Sequence, residues 1–251
     1  MNSDEQAILK GKTIVCTYPE NEQDEAAERL RKAGALVLSM PMITVEPIPF
    51  RLKNDPQHYD WLVFTSKNAV SSFFSRYSLT DNQNVAALGP GTAAELSKQN
   101  CRVNFTGKGK SAVHFAREIR QIISPGEKIL LVLGTLAPDR LEKTLSENYA
   151  VERINVYLTT MPAYVDTELV QRVENDLYDV LLVSSPSAFF NLFSILQGNK
   201  ENLRIISIGE TTTAAIRKFN IEPVATALNP GYKGLAEAAV NYFKNYKNHI
   251  S

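Results

Sequence analysis

Two short polar runs hold side chains that could bind an anion: Thr65-Ser66-Lys67-Asn68 and Ser184-Ser185-Pro186-Ser187, each directly after a β-branched apolar run. Hydroxyls at a helix start cap its first turn and leave N–H groups aimed outward, at the positive end of the helix dipole. Such a terminus holds a carboxylate or phosphate without any basic side chain. Either run alone reads equally as a simple helix cap. Two of them in corresponding places point to a ligand, held by Thr65, Ser66 and Lys67 in one and by Ser184, Ser185 and Ser187 in the other.

A second pair is Gly89-Pro90-Gly91-Thr92 and Gly209-Glu210-Thr211-Thr212. Glycine at a strand end (Gly89, Gly209) lets the backbone come close to a ligand, while Thr92, Thr211 and Thr212 can cap a helix or meet an anion. Neither run is a phosphate loop ending in Gly-Lys-Ser/Thr, and neither is a Gly-x-Gly-x-x-Gly dinucleotide fingerprint. Lys108 and Lys110 lie in a glycine-rich loop that is either solvated or folded over an anion, and Arg140 opens a helical stretch as a surface residue or one reaching a cleft. Tyr157 lies in an extended, β-branched segment. There it fills a sheet face or, beside a cleft, gives a proton to a leaving oxygen.

Other chemistries are not expected. His58, His114 and His249 show no metal-ligand spacing with Cys16 or Cys101, and no Gly-x-Ser-x-Gly elbow is present. No metal and no cofactor is therefore anticipated. Cys16, in an apolar run, reads as a buried small hydrophobe, and no disulfide framework is needed. Lysine plus arginine equals aspartate plus glutamate at 27 each, which argues against a dedicated nucleic-acid or membrane surface. The polar, acidic start lacks the apolar core of a secretory signal, and no run approaches the ~18–20 apolar residues of a membrane helix. The expectation is a cytoplasmic monomer acting on a small molecule.

The elements that must position these residues alternate. Strands are predicted at Thr13–Thr17, Leu36–Ser39, Trp61–Thr65, Val85–Leu88, Val103–Phe105, Ile129–Leu133, Val151–Asn155, Val180–Ser184, Ile205–Ile208 and Pro223–Ala225. Helical stretches such as Glu22–Ala33, Ala69–Tyr77, Ala112–Ile123, Ala188–Leu196 and Leu235–Lys247 fall between them. Strand alternating with helix predicts α/β architecture with parallel sheets covered on both faces. The polar runs then sit at the carboxyl ends of strands, where such sheets bind ligands.

Self-comparison adds a repeat. Val63–Ala69 resembles Leu182–Ala188 with Ser66 and Ser185 119 positions apart; Ala87–Ala93 resembles Ser207–Thr213 with Gly89 and Gly209 120 apart. Lys12–Val15 and Lys128–Leu131 open the two series, 116 apart. Two segments break the rhythm, residues 43–49 and 156–162, both extended with prolines at their ends. If the chain crosses at both, residues 50–155 form a continuous domain and residues 1–42 with 163–251 a discontinuous one, with 43–49 and 156–162 as linker strands.

The succession Val63-Phe64-Thr65-Ser66-x-x-Ala69-Val70, Leu88-Gly89-x-x-Thr92-Ala93, Val156-Tyr157-x-Thr159, Ser184-Ser185-Pro186-Ser187-Ala188, Ile208-Gly209-x-Thr211-Thr212 and Asn229-Pro230-x-x-x-Gly234-Leu235 resembles the uroporphyrinogen-III synthase family. The likeness covers nearly the whole chain and rests on motif order and spacing. It implies two flavodoxin-like three-layer domains with parallel sheets, joined by a two-stranded linker. It implies a cyclising lyase of porphyrin and heme biosynthesis, acting on hydroxymethylbilane, a linear tetrapyrrole with two carboxylates per ring. The family closes it with inversion of ring D and loss of water, without a cofactor. Tyr157 matches the tyrosine proposed to assist loss of the hydroxyl, and Ser66, Thr92, Ser185, Ser187 and Thr212 match positions lining the cleft. Lys67 and Asn68 fall where members vary, and Glu210 stands where a small or neutral residue is common. The alternatives are a non-catalytic two-domain binding protein or sensor, and a sugar-phosphate or nucleotide-sugar transferase.

Overall fold

The computed structural model describes residues 8–19, 25–80, 82–108, 112–198, 200–229 and 231–248. The chain opens with β1 (Thr13–Cys16), α1 (Glu25–Lys32) and β2 (Leu36–Ser39), followed by β3 (Thr44–Pro47) and β4 (Trp61–Phe64). Next come α2 (Lys67–Phe74), β5 (Asn84–Ala87), α3 (Pro90–Lys98), β6 (Phe105–Thr106), α4 (Ala112–Ile119), β7 (Lys128–Gly134), α5 (Arg140–Ser146) and β8 (Ala150–Thr160). The last part is α6 (Thr167–Glu174), β9 (Val180–Val183), α7 (Pro186–Ile195), β10 (Ile205–Ser207), α8 (Glu210–Arg217), β11 (Ala225–Thr226) and α9 (Tyr232–Asn248).

The chain divides into two compact units, one made of residues 1–44 and 160–251 and the other of residues 45–159. The first contains a five-stranded sheet in the order β11-β10-β9-β1-β2, and the second is built on a six-stranded sheet, β6-β5-β4-β7-β8-β3. Every pair from β1 to β2, β9, β10 and β11, and from β4 to β5, β6, β7 and β8, is parallel. In its own chain order the first sheet reads 2-1-3-4-5, the flavodoxin order. The second, leaving aside β3, reads 3-2-1-4-5, which is the same sheet entered at a different strand.

Each sheet is covered on both faces, and strand periodicity divides its side chains between them. In the first, Ile14, Cys16, Val180, Leu182 and Ile206 meet Ala26 and Leu30 of α1 and Leu235, Ala236 and Ala239 of α9. Val15, Leu181, Val183 and Ile205 meet Val173, Phe189, Leu192 and Ile216 of α6, α7 and α8. In the second, Leu62, Phe64, Leu130 and Val132 pack on Val70 and Phe73 of α2 and Leu96 of α3. Trp61, Val63, Ile129 and Leu131 pack on Phe115 and Ile119 of α4 and Leu141 and Leu145 of α5. Both units are three-layer α/β/α structures.

Hydrogen bonding makes the equivalence concrete. Asp60, before β4, accepts from the Lys128 amide at 2.8 Å while its own N–H goes to the Lys128 carbonyl. Asp179, before β9, does the same with Thr13, also at 2.8 Å. Thr13 therefore corresponds to Lys128, 115 positions away, one fewer than the sequence match. So β1, β2, β4, β5 and β6 are repeated as β7, β8, β9, β10 and β11, and each unit takes two strands from one repeat (β1 and β2, or β7 and β8) and three from the other.

Two segments differ from the sequence expectation. Val151–Asn155 and the stretch after it are one strand, β8, which runs to Thr160 and pairs with β7 as far as Tyr157, with a register irregularity at Leu133/Gly134. Thr167–Glu174, not anticipated as a helix, is one, capped by Asp166 accepting from the amides of Glu168 and Leu169. Its face is weakly apolar, with Val173 its one fully buried residue.

Candidate active site

In the second unit, the end of β4 leads through Thr65 into Ser66, the N-cap of α2. Ser66 Oγ accepts from the Ala69 amide at 3.1 Å and donates to Tyr157 Oη at 3.1 Å. Tyr157 comes from β8, two strands away, and is half-buried. Between them β7 ends in Gly134, whose missing side chain leaves room for the phenol ring. Thr135 follows, its amide donating to the Tyr157 carbonyl at 3.0 Å and its hydroxyl buried without a hydrogen-bond partner. Arg153 holds this loop with bonds to the carbonyls of Ala137 (2.9 Å) and Gly134 (3.4 Å).

Lys67 is exposed at the first position of α2, and no described residue pairs with its ammonium. Its Cε lies 3.3 Å from where a Cβ on Gly91 would sit, so it runs beside the start of α3. The geometry thus brings Lys67 to the Gly89–Thr92 turn. Gly89 is the buried N-cap of α3, and Thr92 is buried with its amide bonded to the Gly89 carbonyl.

In the first unit, Ser185 caps α7 by accepting from the Ala188 amide at 3.0 Å, the counterpart of Ser66 on Ala69. Ser184 takes the place of Thr65. Its amide donates to Thr17 Oγ1 at 3.3 Å, and its hydroxyl is buried without a partner. An unpaired buried hydroxyl is costly unless water or a ligand meets it. Ser187 is half-buried in the first turn of α7. Gly209, the N-cap of α8, has extended backbone and open space where a Cβ would stand. Thr211 and Glu210 are exposed there, whereas Thr212 is 2% exposed and faces the interior.

A family model for uroporphyrinogen-III synthase HemD matches residues 24–237. The chain belongs to the uroporphyrinogen-III synthase family. The "Porphyrin biosynthesis protein HemD" of Ruminiclostridium josui is 26% identical over 230 residues, 86% of this chain but 46% of that protein. The chain thus spans about half the length of that relative. The uroporphyrinogen-III synthase of Chlorobaculum parvum is 26% identical over 225 residues, 84% of this chain and 91% of that one. The crystal structure of uroporphyrinogen-III synthetase from Helicobacter pylori shares the fold, with TM-score 0.66 at 21% identity over 92% of this chain and 99% of that one. These likenesses make the two-domain α/β arrangement that of the uroporphyrinogen-III synthase family.

Several participants in these strand ends were not singled out from sequence. Gly134, Thr135 and Arg153 surround Tyr157, and Thr17 supports Ser184. Ser207, Thr213 and Thr226 form a hydroxyl cluster at the end of β10, with Thr213 to Thr226 at 2.6 Å. Extending the strand-end rule to β1 and β7 finds Thr17, Gly134 and Thr135; nothing local marks Arg153. Arg140 is exposed at the start of α5, and Lys108 is exposed with its ammonium 4.0 Å from Glu118. Lys110, Pro230 and His249 lie outside the described residues.

Proposed function

We propose that this chain cyclises hydroxymethylbilane to uroporphyrinogen III, inverting ring D with loss of water. The observation that carries the reading is the family match over residues 24–237. Tyr157 is the catalytic proton donor in this reading. It protonates the departing hydroxyl, which leaves as water, and the resulting azafulvene is attacked through a spiro-pyrrolenine intermediate before a final proton loss. The reaction has no net redox change and needs no cofactor. Thr65, Ser66, Lys67, Gly89 and Thr92 in one unit, and Ser184, Ser185, Ser187, Gly209, Thr211 and Thr212 in the other, serve the substrate and its carboxylates. The capped starts of α2 and α7 suit anions. Binding then controls which carbon attacks, so positioning contributes as much as proton transfer.

Among the described residues no helix is long and apolar enough to cross a membrane. We read the protein as a cytoplasmic monomer without nucleic-acid or membrane partners, in keeping with its balance of 27 basic and 27 acidic residues. The test is incubation of purified protein with enzymatically generated hydroxymethylbilane, followed by oxidation and separation of porphyrin isomers. Uroporphyrin III in excess is the expected product. Uroporphyrin I alone, formed at the spontaneous rate, overturns the reading and leaves a binding protein.

A further inference from the structure

We propose that Gly134 and Ser66 are positioning residues for Tyr157: the bare backbone at 134 admits the phenol, and the Ser66 hydroxyl occupies its oxygen so that its proton points to the substrate. This rests on the reading of Tyr157 as the proton donor.

The argument starts in β8. Along β7, Leu130 pairs with Glu152, Leu131 with Arg153, Val132 with Ile154 and Leu133 with Asn155, but Gly134 pairs with Tyr157. One extra residue, Val156, has been inserted. Strict alternation would put Tyr157 on the face of Arg153 and Asn155, opposite Ile154 and Val156. Instead Ile154, Val156 and Tyr157 all pack into the core beneath α2 and α3. The bulge turns the tyrosine over, a known use of such insertions near functional sites.

Turned over, the ring crosses the end of β7. A Cβ at Gly134 would lie 2.4 Å from Tyr157 Cζ, 2.6 Å from Cε2 and 2.8 Å from Oη. The obstacle is a ring fixed by a paired strand on one side and a packed core on the other, so it cannot swing clear as a long chain could. Gly134 is held in turn, because its carbonyl accepts from Arg153 and its neighbour Thr135 is bonded to the Tyr157 carbonyl.

The direction of the hydrogen bonds completes the case. The Ala69 amide, in the first turn of α2, donates to Ser66 Oγ, and Ser66 donates to Tyr157 Oη. Among the described residues no acceptor takes the phenol proton. Each bond in such a chain polarises the next, so Ser66 makes the phenol a better donor while fixing where it points.

Turnover, KM and isomer ratio of five variants test this. Tyr157→Phe sets the floor. Ser66→Ala should lower kcat about tenfold with KM within about twofold, the loss of roughly one hydrogen bond. Ser66→Thr, which keeps both cap and hydroxyl, should recover most of it. In Ser66→Ala/Tyr157→Phe the serine change should cost less than about twofold, because its effect passes through the phenol. Gly134→Ala, where circular dichroism shows it folded, should fall near the Tyr157→Phe floor; if it does not fold, the serine series decides. A tenfold serine effect persisting without the phenol, a Ser66→Ala loss confined to KM, or a folded Gly134→Ala with full kcat each overturns the proposal. Full turnover by Tyr157→Phe would instead remove the donor reading itself.

Discussion

Tyr157 and Ser66 meet over bare backbone at the carboxyl end of the second unit's sheet. In the first unit the strand equivalent to β8 continues differently: β2 runs on into Met40, Met42 and Ile43, all buried. The cap serines are shared, since Ser66 and Ser185 hold equivalent amides. The cluster at the end of β10 shows the opposite bias. Ser207, Thr213 and Thr226 of the first unit correspond to Ala87, Ala93 and Thr106 of the second. The cap serines of α2 and α7 are thus alike in the two units, while the Ser66–Tyr157 bond belongs to the second and the hydroxyl cluster to the first.

The largest expected effect comes from removing the phenol that Ser66 bonds in the second unit. Tyr157→Phe should lower kcat by about 10²–10⁴-fold, the usual contribution of a positioned acid, while KM changes little. Measured by isomer-resolved turnover, a loss shared equally between kcat and KM would make the phenol a binding group and narrow the difference between the units.

The first unit's own feature should register in stability. Thr213 is 1% exposed and bonded to both Ser207 and Thr226. Thr213→Val keeps the shape and leaves Ser207 and Thr226 with only their own 3.3 Å bond, which should cost about 1 kcal/mol in urea unfolding. A neutral Thr213→Val would make the cluster incidental to the fold.

The strand starts, where the units agree, provide a finer comparison. Asp60 and Asp179 accept equivalent amides, but Asp179 also pairs with Lys12 Nζ at 2.8 Å. Asp60→Ala should cost about 1 kcal/mol and Asp179→Ala about 1 kcal/mol more, because the second change also leaves a half-buried lysine unpaired. Equal losses would show that the ion pair contributes nothing beyond the amide bond.

The repeat was visible in the sequence because strand ends keep their residue types: Ser66 and Ser185 cap, Gly89 and Gly209 turn. At the chain start Lys12-Thr13 resembles Lys128-Ile129, an offset of 116, but backbone pairing sets it at 115. The slip matters, since one residue moves a strand's side chains to the other face. At 115, Ile14 matches Ile129, and both face the helix pair that follows the last and first strands of their repeats, α9 with α1 and α4 with α5. At 116, Ile14 would match Leu130, which faces α2 and α3. The Ser66–Tyr157 bond was hidden for a different reason. Its partners are 91 residues apart and meet only through the order β4-β7-β8 and a bulge that no local pattern announces.

The smallest expected effect concerns charge at two helix starts, one in each unit. Lys67 opens α2 and lies along Gly91 of α3, without a described anionic partner, while Glu210 opens α8 in the other unit. A cation beside two helix starts adds to a positive field, and a glutamate at the start of α8 offsets one. For an acidic substrate, the second unit is then the stronger holder of carboxylates. Lys67→Ala should raise KM about 2–5-fold with kcat nearly unchanged, and Glu210→Gln should lower KM by up to about twofold. Both groups are exposed, so both shifts should shrink as salt is raised from low ionic strength toward 1 M, where the screening length falls to about 3 Å. A rise in KM for Glu210→Gln would reverse the assignment. The carboxylate would then be a contact for substrate N–H groups rather than a repulsive neighbour of its carboxylates.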